Sequence, residues 1–140
     1  MSDFNDMVMA DFHRTKGKPG GPFEGKPVLL LHAIGAKSGA DRTLPLMYLQ
    51  ERQDDRWYVF ASYGGAPSDP DWYHNLIAHP DIEISVGDGS EIERLPVHAS
   101  EIEGGERDAI YARQATLYPQ FAEYEEKTDR TIPVIALARR

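Results

Sequence analysis

Apolar residues recur at helical spacing near the start of the chain. Phe4, Met7, Val8 and Phe12 fall on one side of a helix over residues 3–13, with Ser2 or Asp3 as the N-cap. The stretch TKGKPGGPFEGKP that follows is dense in Gly, Pro and Lys and predicts a loop. Three β-prone apolar runs come next, over 27–34, 43–50 and 56–62, and the polar QERQDD before the third predicts a hairpin. Asp69 as N-cap, Pro70 at the first helical position and Pro80 past the end bracket a short helix. In DIEISVGDGSEIERLPVHA, Ile82, Ile84 and Val86 alternate with Glu83 and Ser85, GDGS turns the chain, and Leu95, Val97 and Ala99 resume the alternation. Ile92 is out of phase with Leu95, which predicts a bulge near Glu93. A helix over 104–118 stops at Pro119, and TIPVIALA returns as a strand. The pattern predicts an α+β fold: a small barrel of six short, mostly antiparallel strands with three helices at its margins. One domain over 1–140 is expected, with residues 1–22 as an N-terminal helix and flexible loop.

Charge changes this picture by its distribution. The net charge is −8, yet residues 13–42 carry Arg14, Lys16, Lys18, Lys26, Lys37 and Arg42 against Glu24 and Asp41. Residues 81–126 carry twelve acids against Arg94, Arg107 and Arg113. The acidic part disfavours nucleic acid, whose binding rests on phosphate neutralisation, while the basic part suits a small polyanion. With no Cys there is no disulfide framework and no thiolate metal site. No apolar run approaches a membrane span, and the N-terminus lacks a basic n-region and a cleavage site. The expected location is the cytoplasm. Peripheral contact of the N-terminal helix with a membrane is left open, although Asp3, Asp6 and Asp11 disfavour an anionic surface.

Candidate chemistry concentrates in three stretches. GAKSG fails the P-loop pattern and G-x-S-x-G. What it retains is a glycine-bearing turn flanked by Lys37 and Arg42, readable as an anion nest or as a hairpin turn with exposed basic residues. In ASYGGAPSDPDWYHNL, Ser62, Gly64 and Gly65 at a strand end allow close backbone approach to a ligand. Trp72, Tyr73 and Asn75 follow on a helix, with core packing of Trp72 and Leu76 as the alternative. Beyond residue 104, one stripe of Ile110, Leu117 and Phe121 and another of Tyr111, Ala115 and Tyr118, with Tyr124 beyond, read as core or as a pocket lining. His74 and His79 are five apart and lack a carboxylate partner, so no metal is expected, and His32 in its apolar strand reads as a satisfied structural histidine.

Taken together, GAKSGADRTLPLMY, ASYGGAPSDPDWYHNL and LYPQFAEYEEKTDRTIPVIAL resemble the deazaflavin-dependent nitroreductase and quinone reductase family, in order and spacing from about Phe23 to Leu137. The resemblance implies a split β-barrel that binds coenzyme F-420, an 8-hydroxy-5-deazaflavin with a phosphate and an oligoglutamate tail. It implies Lys37, Ser38 and Arg42 as ligands of the phosphate and tail, and Pro45, Leu46 and Met47 against the ring. Ser62, Tyr63 and Gly64 match a second cofactor-binding strand end, and Trp72 and Asn75 match the helix beside it. Tyr111, Tyr118, Phe121 and Tyr124 are the expected substrate pocket, and Ser62, Tyr118 and Tyr124 the expected catalytic set. Three positions depart from the pattern: Ala36 replaces Arg, Tyr63 stands where Lys is common, and Phe121 replaces the middle tyrosine of Y-P-x-Y-x-x-Y. The implied activity is hydride transfer from reduced F-420 to a quinone, nitroaromatic or similar electron-poor acceptor, by a monomer or homodimer. An FMN-dependent reductase of the same fold and a non-catalytic carrier of the deazaflavin or another small ligand are the alternatives.

Overall fold

In the computed structural model, which describes residues 3–50 and 55–140, the N-terminal helix α1 (Asp3–Thr15) is followed by β1 (Val28–Ile34), β2 (Asp41–Met47) and β3 (Arg56–Phe60). Helix α2 (Asp71–Ala78) leads to β4 (Asp81–Gly87) and β5 (Ile92–Ile102), then α3 (Gly104–Leu117), α4 (Gln120–Lys127) and β6 (Val134–Arg139). All six strands form one sheet in the order β2–β1–β4–β5–β6–β3, with every neighbouring pair antiparallel. Among the described residues the chain just past β2 meets β3 again at one bridge, Leu49 to Tyr58, so the sheet curls into a split barrel. The six antiparallel strands are as expected; there are four α-helices rather than three.

Period-two alternation fills the barrel. Leu29, Leu31 and Ala33 of β1 meet Ile82, Ile84, Leu95, Val97, Val59, Ile135 and Leu137, and Trp72 and Leu76 of α2 close one end. Val28 and Leu30, on the other face of β1, are apolar too, because that face is also covered there, while His32 further along it is held by Ser85 and Thr43. Val28 and Leu30 lie under α1, where Phe12 is 0% exposed. On the opposite flank Tyr58, Phe60, Val134 and Ala136 pack beneath α3 and α4.

Several local expectations need correction. No bulge occurs at Glu93: the β4–β5 register is unbroken from Gly87↔Ile92 to Asp81↔His98. Ile92 is out of phase because it packs with the Phe12, Val28 and Leu30 cluster outside the barrel. Of the hairpin expected between the second and third strands, the described residues show the Leu49–Tyr58 bridge, and β3 pairs along its length with β6. Residues 51–54 of that turn, and Ser2 as a cap, lie outside the described residues. Asp69 does not cap α2; Pro70 holds that position, and the Asp69 carboxylate meets Arg130 at 2.7 Å. The helix expected over 104–118 ends at Leu117, and Pro119 begins α4 instead of closing the helical region. Because the axis changes there, Leu117 is 59% exposed rather than in line with Phe121.

Two backbone details secure α1. Lys16 takes the left-handed conformation (φ 57°), and the Gly17 N–H returns to the Phe12 carbonyl at 2.8 Å, as in a Schellman end. Gly17 then crosses Gly87 so closely that a Cβ on Gly87 would lie 2.2 Å from the Lys16 carbonyl oxygen. No helix among the described residues is long and apolar enough to cross a membrane.

One core position is locally unfavourable. Gln114 of α3 is 0% exposed, and among the described residues neither its Nε2 nor its Oε1 has a hydrogen-bond partner. A buried amide with no partner carries a desolvation cost of about 1–3 kcal/mol. Gln114→Met, similar in length and apolar, is therefore expected to raise stability by about 1 kcal/mol in urea unfolding. A lower midpoint would show that the amide is satisfied in solution.

Candidate functional site

The split in the barrel is the structural origin of the site. Because β2 and β3 are antiparallel at the Leu49–Tyr58 bridge, moving back along β2 towards Arg42 is moving forward along β3 towards Ser62. Beyond the bridge the two strands pair with β1 and β6 respectively and not with each other, so the seam, or cleft, between residues 42–47 and 60–65 carries no ladder. Pro45 lies on the open edge of β2, where its missing N–H disrupts no ladder. Leu46 packs into the barrel interior and Met47 against the outer clusters.

At one end of the cleft is the turn from Gly35 to Ala40. It is closed by Gly35 N–H to the Ala40 carbonyl (2.8 Å) and Gly39 N–H to the Gly35 carbonyl (2.9 Å), with Gly39 at φ 70°. The Ser38 hydroxyl accepts from the Ala40 N–H at 3.2 Å, and its own proton remains free to donate. Asn75 of α2 fixes the turn from below, its Oδ1 accepting the Ala36 N–H at 3.0 Å. The N–H groups of Lys37 and Ser38 have no acceptor among the described residues, and the side chains of Lys37 and Arg42 are exposed and without an ion pair there. Trp72, one turn before Asn75, is buried in the barrel core and anchors α2.

Across the cleft, Ser62 is right-handed (φ −71°, ψ −38°) and Tyr63 left-handed (φ 48°), followed by Gly64 at φ 63° and Gly65 at φ 82°. A right-handed residue followed by a left-handed one turns successive N–H groups to one side, forming a nest for an anion or carbonyl oxygen. Among the described residues, the N–H groups of Ser62, Tyr63 and Gly64 have no acceptor. Tyr63 holds a conformation rare for a side-chain-bearing residue while 61% exposed, a strain typical of ligand sites. Gly65 is needed for a different reason: a Cβ there would lie 2.9 Å from the Lys127 Cβ and 3.0 Å from the Tyr124 carbonyl oxygen. This contact sets α4 directly beside the nest.

The junction of α3 and α4 carries the tyrosines, with Tyr124 packed on Gly65 and Tyr118 near Tyr48. Tyr118 and Tyr124 are half-buried, Tyr118 at the break between the helices and Tyr124 edge-on to Phe121 at 5.2 Å. Tyr111 and Phe121 are packed inside the adjoining core, and the Tyr111 hydroxyl donates to the Phe121 carbonyl at 2.7 Å. Burial, then the nearby Glu125 carboxylate, pushes the Tyr111 hydroxyl well above the ordinary tyrosine range. Tyr48, at the end of β2, is also raised, first by burial and then by Tyr118.

Elsewhere, His32 is held on the outer face between Ser85 Oγ (2.7 Å) and Thr43 Oγ1 (3.2 Å). Burial, then Arg94, depresses its protonation. It borders a hollow of about 430 Å³ lined also by His13, Asp41 and Arg94. A second hollow of about 500 Å³ lies under the N-terminal loop beside Lys18, Lys26 and Tyr48. Neither contains the Lys37 turn or the nest. Among the described residues no cluster of His, Cys, Asp or Glu forms a metal site. Tyr73 donates to Glu101 at 2.5 Å, and burial followed by that bond pushes its hydroxyl up to about 12.

A split barrel whose seam carries an anion-ready turn, a backbone nest and a tyrosine pair defines a class of cofactor-binding barrels. The family model for F420H(2)-dependent quinone reductase matches residues 6–139, and the chain belongs to that family. The F420H(2)-dependent quinone reductase Rv1261c of Mycobacterium tuberculosis is 39% identical over 133 residues, covering 91% of this chain and 79% of its own. Among solved structures, an F420-H2-dependent reductase (FDR-A) is 40% identical with a TM-score of 0.68, covering 79% of this chain and 93% of its own. A structure described as a domain-swapped dimer is 32% identical with a TM-score of 0.70, covering 94% of each chain.

Proposed function

We propose that this protein is a coenzyme F-420-dependent reductase that uses the seam between β2 and β3 as its cofactor site and the α3–α4 junction as its acceptor site. The observation that carries this reading is the alignment of three features along one seam: Lys37 and Arg42 without an ion pair, the open edge of β2, and the N–H groups of residues 62–64 without an acceptor, all among the described residues. The donor set fits the cofactor's chemistry. Two cations and the amides of Lys37 and Ser38 suit a phosphate and carboxylate tail, and the nest suits a carbonyl or ionised oxygen of the ring. When bound, reduced F-420 supplies a hydride to a quinone or similar electron-poor acceptor. The protein's own residues then position the reactants. Pro45, Leu46 and Met47 form one wall, the 62–65 turn forms the other, and no side chain need act as a nucleophile.

Tyr124, whose backbone packs on Gly65, and Tyr118, near Tyr48, are assigned the acceptor: their hydroxyls orient a quinone oxygen and supply a proton to it. Tyr111 and Phe121 support that pair from the core. Tyr118→Phe and Tyr124→Phe are each expected to lower kcat/KM for a quinone about tenfold with F-420 affinity unchanged. Unaltered turnover in both would remove the tyrosines from the mechanism. The cofactor itself is tested by titrating the protein with F-420 and, separately, with FMN while following fluorescence of Trp57 and Trp72, then adding a quinone to the reduced complex. Saturable response to F-420 with acceptor-dependent oxidation supports the proposal; response to FMN alone points to the rival cofactor. Tight F-420 binding without turnover points to a carrier. We further take the protein to work in the cytoplasm, as a monomer or homodimer, without nucleic-acid partners.

A further inference from the structure

We infer that Arg130, in the segment between α4 and β6, is a positioning residue whose guanidinium aims the nest of residues 62–64 into the cleft. The inference rests on the cofactor reading above. The Arg130 side chain is 14% exposed and makes four hydrogen bonds to the segment from Ala61 to Asp69. Its Nε donates to the Ala66 carbonyl at 2.9 Å, Nη1 to the Ala61 carbonyl at 3.1 Å, and Nη2 to the Ser62 carbonyl at 2.7 Å. Asp69 completes the set, its Oδ1 accepting from Nη1 at 2.7 Å.

The consequence follows from the planarity of the peptide group. In a trans peptide the carbonyl of one residue and the N–H of the next point in opposite directions. Drawing the Ala61 and Ser62 carbonyls onto Arg130 therefore turns the Ser62 and Tyr63 N–H groups the other way, and these are the groups that lack an acceptor in the protein. The same grip holds Tyr63 in its left-handed conformation, which that residue would otherwise leave. A guanidinium can do this because its five donors form a rigid planar fork reaching separate acceptors at once. A lysine ammonium is a point charge on a flexible stem and cannot hold that fan of carbonyls. Gly65 packed on α4 supports the turn from one side, and the Ala61 N–H to the Pro133 carbonyl (3.0 Å) ties it to the segment carrying Arg130.

The test compares wild type, Arg130→Lys, Arg130→Ala and Asp69→Asn by F-420 affinity, with amide NMR signals of Ser62, Tyr63 and Gly64 followed through each titration. The expected result is a dissociation constant raised about tenfold or more in Arg130→Lys and Arg130→Ala, with the three amide signals no longer shifting on cofactor addition. Asp69→Asn, which keeps the carbonyl contacts, is expected to stay within about twofold. Millimolar guanidinium, far below denaturing concentrations, should restore part of the affinity of Arg130→Ala and have no effect on wild type. Wild-type binding with equal affinity in Arg130→Lys would overturn this inference and leave the cofactor reading standing. So would a loss that guanidinium does not rescue and that leaves the amide shifts intact, because that pattern reports a general loosening. Failure of wild type to bind F-420 would overturn the cofactor reading and this inference with it.

Discussion

Replacing Lys37 and Arg42 together by Ala is expected to weaken F-420 binding about a hundredfold, a loss of about 2.8 kcal/mol. Each side chain is exposed and unpaired among the described residues, so removing it breaks no structural contact, and the folded barrel should survive intact. What disappears is a charge-assisted hydrogen bond to the anionic tail or phosphate, each worth about 1.5–3 kcal/mol when a charged partner is involved. The two single variants should each cost about half as much. Because exposed charges are screened, the wild-type affinity should fall as salt rises and the double variant should show a much flatter dependence. Isothermal titration at two ionic strengths checks both points. An unchanged affinity, or an undiminished salt dependence in the double variant, would place the anion site elsewhere, with the basic hollow beside Lys18 and Lys26 as the next place to look.

Gly87→Ala is expected to destabilise the protein by about 3 kcal/mol. The added Cβ would lie 2.2 Å from the Lys16 carbonyl oxygen and 2.7 Å from the Gly17 Cα. Both are backbone atoms, so no side-chain rotation relieves the overlap. The Lys16–Gly17 segment must retreat, and it cannot do so alone. Gly17 is tied to Phe12 by its N–H, and the Gly89 N–H reaches the Lys16 carbonyl at 2.9 Å. Moving this corner lifts the C-terminal end of α1, with fully buried Phe12 the main apolar contact at risk. Urea unfolding should show the loss, and hydrogen exchange should locate it in α1 while leaving β4–β6 protected. A midpoint equal to wild type would show that the helix is held more loosely than its contacts imply.

What was legible in the sequence was what is local. The alternation of Ile82, Ile84 and Val86 marked β4 because one strand face meets the barrel interior. The Lys37 turn stood out because its glycines, cations and serine lie within a few residues of one another. Errors arose where distant elements decide. Ile92 read as a bulge because a helix eighty residues earlier in the chain, carrying Phe12, covers the other side of that strand. The Tyr111–Tyr118 stripe was extended across a break at Tyr118, since Pro119 serves equally as the end of one helix and the start of another. Arg130 was legible only as part of TDR (residues 128–130), which before the last strand reads as a cap or a pairing group; its partners are 61–69 residues away, so no local pattern names them. Asp69 was assigned to a helix cap because a cap is the nearest use for a carboxylate before proline, whereas the folded chain offers it a guanidinium.

The rung joining Leu49 to Tyr58, the one such bridge among the described residues, has a consequence for the lifetime of the protein. A barrel whose β2 and β3 edges are not paired between residues 42–47 and 60–65 is weakest along that seam, and a molecule bound there, as proposed above, would replace the missing rungs. Occupancy and cohesion then rise together: a ligand at a hundred times its dissociation constant adds about 2.7 kcal/mol to the folded state. Empty, the same seam offers an unpaired strand edge to other chains. On the proposed site, scarcity of the ligand would be felt twice, as idle catalyst and as faster turnover of the protein itself.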